Sequence, residues 1–135
     1  DMRLVSTQHI FKLSGKLNVK LKIDRGRITQ VLTNILTNAV KYSPNAKEIK
    51  VKLAKKSGIV MISVRDYGLG IPQSAQKHIF EAFFRSSHNR HAAFPGLGLG
   101  LYLSHKIVAH YHGSISFSSK SGKGTTFTIS LPMVS

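Results

Sequence analysis

The chain has 135 residues, which is the length of one globular domain with a single core. It carries 20 Lys and Arg against 5 Asp and Glu, and the resulting net charge of +15 favours contact with polyanions or phosphate groups. The absence of cysteine excludes disulfides, thiol catalysis and thiolate metal sites. No apolar run is long enough for a membrane-spanning helix.

The first half of the chain predicts short strands followed by one long helix. Alternating apolar residues predict strands at 8–12 and 17–23, and Asp24 stands where a helix cap belongs. The helix that follows has an apolar stripe at helical spacing. It is predicted to end at Ser43-Pro44, because a proline disfavours the helical conformation of the residue before it.

The second half alternates hairpins with helices. In chain order we predict strands 48–56 and 59–66, a short helix over 73–84, a polar segment over 85–95, a glycine-rich entry into a helix over 96–112, and strands 113–119 and 124–132. The consecutive hairpins predict an α/β (α+β) two-layer sandwich, in which a mixed, mostly antiparallel sheet is covered on one face by about three helices.

Three polar residues of the long helix stand out. Asn34, Asn38 and Lys41 fall on one helical face, which we expect to lie opposite the apolar stripe. Such a polar helical face is most often simply exposed to solvent. Asparagine is nevertheless a mediocre helix former, and its neutral oxygen can bind a hard cation while lysine binds phosphate. The face could therefore hold a metal–phosphate unit.

Asp66 closes the apolar strand IVMISVRD, and a glycine-punctuated turn containing Gly68 and Gly70 follows at once. A carboxylate at the end of a buried strand is costly unless something pairs with it. The sequence therefore raises the question of what Asp66 binds.

The glycines of GLGLGL lead directly into a helix. Glycine backbone can close around phosphate, and a helix N-terminus adds favourable partial charge. Taken alone the signal is weak, because a tight loop packed on the core explains it too. The sequence contains no Walker-type phosphate loop.

The order of the motifs is more specific than any one of them. The segments QVLTNILTNAVKYS, DYGLGIP, IFEAFFR and GLGLGL, followed by GKGTTFTISLP, resemble the N box, first glycine box, F box and second glycine box of sensor histidine kinases. The resemblance covers about residues 20–132 and implies the Bergerat ATP-binding fold. It also implies that residues 1–135 form a single catalytic ATP-binding domain.

The resemblance also implies roles for individual residues. Asp66 would accept a hydrogen bond from the adenine amino group, and Asn38 would ligate Mg²⁺ with support from Asn34. Lys41 and Tyr42 would face the phosphates or ribose, with Asn34 and Lys41 as the catalytic candidates. The rest of the implied nucleotide-binding set is Gly68, Gly70, Ile71, Phe83, Gly96, Leu97, Gly98, Leu99, Gly100, Leu101 and Thr125.

Two of these residues and the lid carry further expectations. A lid over about 85–95 would be anchored by Phe80 and Phe83, although phenylalanine at helical spacing is more often plain core. Thr125 would reach the adenine through water, and an ordinary strand threonine is an equally good explanation.

Two features bear on the reaction. Hydrolytic relatives carry a glutamate four residues before the metal-binding asparagine, and here that position is Asn34, whose amide cannot take a proton from water. The acceptor histidine of the family precedes an acidic residue, and none of the 7 histidines here does so. Both features favour phosphoryl transfer to an acceptor outside this chain.

The implied function is binding of Mg-ATP and donation of its γ-phosphoryl group to a histidine in two-component signalling. The implied partners are the protein's own dimerisation and phosphoacceptor domain and a response regulator. We expect a homodimeric parent protein, a monomeric isolated domain and a cytoplasmic location, with inner-membrane anchoring left open. Nucleic acid is not an expected partner, yet a basic polyanion-binding module and a non-transferring ATP sensor remain alternatives.

Overall fold

A computed structural model describes residues 10–14, 21, 23–41, 43, 48–82 and 100–133. In chain order its elements are β1 (Ile10–Ser14), α1 (Arg25–Lys41), β2 (Glu48–Lys56), β3 (Ile59–Asp66), α2 (Gln73–Gln76), α3 (Gly100–His110), β4 (Ser114–Lys120) and β5 (Gly124–Pro132). No helix in the described ranges is both long and apolar enough to cross a membrane.

The strands form one sheet in the order β1-β2-β3-β5-β4. β1 pairs with β2 in parallel, and every other pair is antiparallel. α1 packs against β3 and α3, and α3 packs against β4. The described part is thus a mixed, mostly antiparallel sheet with helices against it, and the predicted fold class is confirmed.

The core lies between the helices and the sheet. Alternation along β3 and β5 turns every second side chain inward, and α1 contributes its apolar stripe. The apolar side chains with almost no exposure are Val31, Ile35, Ile49, Val64, Val108, Ile129 and Leu131.

Side-chain hydrogen bonds mark both ends of α1. The Arg27 amide donates to Asp24 Oδ2 at 3.1 Å, which is the bond of an N-cap residue, so Asp24 caps the helix as predicted. At the other end the buried Ser43 hydroxyl donates to the Ala39 carbonyl at 2.6 Å. The long helix is therefore fixed at both ends by residues that the sequence identified.

Two sequence predictions differ from the structure. Leu21 and Ile23 lie outside any strand, and the rest of the predicted strand at 17–23 is outside the described residues. The helix predicted over 73–84 stops at Gln76, because the chain continues in tight turns with bonds from the His78 amide to the Ala75 carbonyl and from Glu81 to His78. Such three-residue spacing is not that of an α-helix.

Candidate functional site

Asp66 lies at the end of β3 and is 2% exposed. Its Oδ1 accepts the Gly68 amide at 3.0 Å and the Thr125 amide at 3.3 Å. Burial raises the pKa of this carboxyl, and the two backbone bonds and the Arg65 charge oppose that rise. Within the described part of the chain no donor bonds Oδ2, so one oxygen is fixed by the fold and the other can accept a hydrogen bond from a ligand.

The turn after Asp66 packs closely against the β4–β5 connection. Gly70 has a φ of +73°, and a Cβ at this position would overlap the Lys120 carbonyl oxygen. The Gly122 amide donates to the Leu69 carbonyl at 2.6 Å, so a backbone hydrogen bond also joins the turn to the β4–β5 connection. Only glycine fits at residue 70, because both the backbone conformation and the available space exclude a side chain.

Gly124 makes a second close approach, at the start of β5. Its φ is +97°, and a Cβ here would overlap the Asp66 carbonyl oxygen. The residue thus brings the β5 backbone close enough for the Thr125 amide to bond the Asp66 carboxylate. The sequence predictions did not include Gly124, although the GKGT segment carried a signal for a special backbone position.

Ser119, near the end of β4, fixes the end of the glycine turn that follows Asp66 by a hydrogen bond to Ile71. Its Oγ accepts the Ile71 amide at 2.7 Å and lies 2.8 Å from Thr125 Oγ1 and 3.2 Å from the Gly124 carbonyl. Gln76 adds a bond from Nε2 to the Ile71 carbonyl at 3.0 Å. The sequence predictions missed Ser119 and Gln76, because a serine in a strand and a glutamine in a helix carry no distinguishing pattern.

Asn38 contains a polar atom without a partner. Its Nδ2 is buried and makes no hydrogen bond to any described residue. A buried amide left unsatisfied costs about 1–3 kcal/mol. This amide therefore fits a ligand role, with the carbonyl oxygen suited to a hard cation and the NH₂ group suited to a phosphate oxygen.

Asn34 has partners within the protein. Its Nδ2 donates at 3.3 Å to the Gly100 carbonyl and at 3.3 Å to Ser104 Oγ, so it ties α1 to the first turns of α3. The polar face of α1 is therefore partly covered by α3, and the expectation that it lies opposite the apolar stripe is wrong. Since a helix turns about 100° per residue, these asparagines flank the buried stripe.

Several predicted site residues also belong to the core. Ile71 is 4% exposed, and Leu101 packs against the core cluster from the first turn of α3. Phe80 packs on Phe117 and Phe127, with ring centroids 6.0 and 6.4 Å away, which is how a core phenylalanine packs.

The remaining predicted site residues are not described by the structure. These are the lid over 85–95 and Tyr42, Phe83, Gly96, Leu97, Gly98 and Leu99. Among the described residues no group of three or more His, Cys, Asp or Glu could hold a metal.

A buried carboxylate on β3 and an unpartnered amide on α1 are the positions that the sequence motifs selected. A family model described as histidine kinase-, DNA gyrase B- and HSP90-like ATPase matches residues 23–135. The chain belongs to this ATPase family. Membership confirms the resemblance that the order of the motifs indicated.

Curated relatives within the family are sensor histidine kinases. The sensor-like histidine kinase SenX3 of Mycolicibacterium smegmatis is 38% identical over 109 residues, which is 81% of this chain and 28% of that protein. The sensor histidine kinase WalK of Bacillus subtilis is 39% identical over 114 residues, 83% of this chain and 19% of that protein. The chain thus spans less than a third of the length of these two relatives.

Solved structures share the fold of this chain. The mycobacterial sensor histidine kinase MprB has a TM-score of 0.80 and 26% identity, covering 98% of this chain and 87% of that chain. Full-length ShkA in complex with AMPPNP has a TM-score of 0.77 and 27% identity, covering 99% of this chain and 28% of that chain. The catalytic domain of the histidine kinase ThkA has a TM-score of 0.76 and 27% identity, covering 97% of this chain and 82% of that chain, so this chain has the fold of a histidine kinase catalytic domain.

Proposed function

We propose that this domain binds Mg-ATP and donates the γ-phosphoryl group to a histidine on a separate dimerisation domain. The observation that carries the proposal is the state of Asp66, a buried carboxylate with one oxygen fixed by backbone amides and the other without a donor among the described residues. Membership of an ATPase family and a neighbour whose structure holds AMPPNP support it.

Adenine recognition follows from the geometry of Asp66. The Gly68 and Thr125 amides hold Oδ1 and so fix the plane of the carboxylate. Oδ2 then accepts a hydrogen bond from the exocyclic amino group of the base. Guanine presents a carbonyl oxygen at that position, and two acceptors facing each other repel. The site therefore selects adenine over guanine.

The phosphates lie on the side of α1. The carbonyl oxygen of Asn38 would bind Mg²⁺, which neutralises charge on the phosphate oxygens. Lys41, in the last turn of the same helix, supplies a positive charge. The amide of Asn38 is buried without a partner among the described residues, as expected of a group that is satisfied by its ligand.

The arrangement favours transfer over hydrolysis. An amide cannot accept a proton from water at neutral pH, and the Asn34 NH₂ group is held by the Gly100 carbonyl and the Ser104 hydroxyl. Asn34 therefore positions α3, with its glycine-rich entry, against the helix that carries Asn38. Catalysis by this chain consists of positioning and electrostatics, which is most of what phosphoryl transfer requires of a protein.

The acceptor histidine belongs to another domain in this proposal, because none of the 7 histidines precedes an acidic residue. The whole chain, residues 1–135, acts as one catalytic domain whose partners are its own dimerisation domain and a response regulator. We place it in the cytoplasm, where ATP and a response regulator are available.

The test is transfer from ATP labelled at the γ-phosphate. The chain alone, with Mg²⁺, should bind nucleotide, remain unlabelled and hydrolyse ATP very slowly. Addition of its dimerisation domain as a second polypeptide should label that polypeptide with acid-labile phosphate, since an acceptor nitrogen must approach to about 3 Å of the phosphorus. A dimerisation domain with its acceptor histidine replaced is the matched control.

Two results would contradict the proposal. Labelling of the chain itself would place the acceptor among its own histidines. Binding of ATP without transfer to any dimerisation domain would leave a non-transferring ATP sensor.

A further inference from the structure

Ser119 links three parts of the candidate base site. Its hydroxyl accepts the Ile71 amide from the glycine turn at 2.7 Å. It also lies 2.8 Å from the hydroxyl of Thr125, whose own amide bonds the Asp66 carboxylate at 3.3 Å. The glycine turn, β4 and the Asp66 carboxylate are therefore connected by hydrogen bonds that meet at Thr125, through its hydroxyl on one side and its amide on the other.

The number of protons limits how these hydrogen bonds can be arranged. Ser119 has one hydroxyl proton, and its two possible acceptors are Thr125 Oγ1 at 2.8 Å and the Gly124 carbonyl at 3.2 Å. If the proton goes to Gly124, Thr125 must donate to Ser119 and has no proton left for a ligand. If it goes to Thr125, the Thr125 proton is free. The shorter distance favours the second arrangement.

Thr125 is held next to Asp66 by the bond from its amide to the carboxylate, so a free Thr125 hydroxyl proton would put a donor near the acceptor oxygen. The hydrogen-bonding edge of adenine has the complementary pair, because its amino group donates and the adjacent ring nitrogen N1 accepts. Guanine has the reverse order on the same edge, with a carbonyl oxygen beside an N–H group. If Ser119 donates to Thr125, the site can bond both the amino group and N1 of adenine. If Ser119 donates to Gly124, the site can bond the amino group alone.

We infer that Ser119 is a positioning residue for base recognition, which holds the Thr125 hydroxyl as a donor toward adenine N1, directly or through one water. The inference rests on the proposed binding of ATP. Ser119 contacts no reacting atom, and its role is exerted through Thr125. It is only partly buried, and its neighbour Ser118 is exposed, so a matched control exists on the same strand.

The test compares ATP with 1-deaza-ATP, in which a C–H group replaces N1. The unmodified chain should bind 1-deaza-ATP about fivefold to tenfold more weakly than ATP, which is the effect of one hydrogen bond. The ratio of the affinity for ATP to the affinity for 1-deaza-ATP should fall toward one in Ser119→Ala, and it should fall likewise in Thr125→Val. Ser118→Ala should keep the full ratio, and Ser119→Thr, which retains a hydroxyl, should keep most of it.

The ratio of the two affinities shows whether Ser119 positions the Thr125 hydroxyl or only supports the structure. A structural defect weakens both nucleotides equally and leaves the ratio unchanged, so an unchanged ratio in Ser119→Ala together with a lost ratio in Thr125→Val overturns the inference. Should Ser119→Ala fail to fold, Ser119→Cys, whose thiol is a weak donor, must lower the ratio in its place. If the unmodified chain binds neither nucleotide, the proposed function itself fails, and the inference fails with it.

Discussion

The two sides of the candidate site differ in how completely the protein satisfies its own polar groups. On the side of β3, the turn and β5, two amides bond Asp66 Oδ1, a hydroxyl pair fixes the turn, and only the acceptor oxygen Oδ2 lacks a donor among the described residues. On the side of α1, Asn38 buries an amide nitrogen that no described residue bonds. In the proposed function, the fold therefore forms the base side around Asp66, whereas the ligand completes the phosphate side around Asn38.

The largest effect should come from breaking the close approach that forms the base side. In Gly70→Ala the new Cβ overlaps the Lys120 carbonyl, and the φ of +73° is unfavourable for alanine. We expect a loss of about 3 kcal/mol in the free energy of unfolding, from strain and overpacking together. Chemical denaturation measures this loss, and ATP binding should fall with it because the turn follows Asp66 directly.

Gly122→Ala is the matched control for this prediction. Gly122 has a similar φ of +81°, but nothing lies within 4 Å of its would-be Cβ. It should therefore lose only the backbone contribution, about 1 kcal/mol. Equal losses in the two variants would mean that the contact with Lys120 contributes nothing.

The next effect concerns the acceptor oxygen. Asp66→Asn keeps the size of the side chain, but its amide can present a donor where the adenine amino group also donates. A hydrogen bond to a charged group contributes about 1.5–3 kcal/mol, so the affinity for ATP should fall about tenfold or more. Calorimetry with ATP and GTP tests the assignment, and comparable affinity of the unmodified domain for both nucleotides would refute it.

A smaller and more selective effect should follow from the phosphate side. Asn38→Ala removes one metal ligand, while phosphate oxygens and water continue to bind the cation. The enhancement of ATP binding by Mg²⁺ should fall by about fivefold, and adenosine, which has no phosphates, should bind as before. If Mg²⁺ enhances binding equally in the variant, the metal site lies elsewhere.

The smallest effect is a pH dependence that separates stability from binding. Burial raises the pKa of Asp66 in the folded state, so the folded domain binds this proton more tightly than the unfolded chain does. Its contribution to stability is fully present below the unfolded pKa and is lost as the pH rises through the folded pKa. Binding of ATP, which needs the carboxylate, should increase over the same range. Asp66→Asn should abolish both trends, as urea titrations and calorimetry across acidic pH would show.

The sequence predicted some of the important residues and missed others. Asp66 could be identified because a lone carboxylate ending an apolar strand demands a partner, and Asp24 because a helix cap has a local pattern. Ser119 and Gln76 could not, because they make contacts between residues far apart in the chain: Ser119 bonds the Ile71 amide, and Gln76 bonds the Ser119 carbonyl. Those two contacts exist only once β4 lies beside the glycine turn.

In the fold as well, features with a local pattern were predicted and features that depend on tertiary packing were missed. The apolar periodicity of α1 and the alternation of β3 and β5 predicted those elements, since both patterns are local. The end of α2 was wrong because Ile79 and Phe80 extend an apolar pattern that reads as helix, whereas tertiary packing places them in turns against the core. The position of Asn34 beside α3 likewise depended on packing between two helices.

The most direct measurement is calorimetric titration of this domain with ATP and with adenosine, each with and without Mg²⁺. We expect both ligands to bind, because the fold already forms the base side. We expect Mg²⁺ to strengthen the binding of ATP and to leave that of adenosine unchanged, because only the phosphates need the metal. Failure of ATP to bind, or an equal effect of Mg²⁺ on the two ligands, would contradict the proposed function.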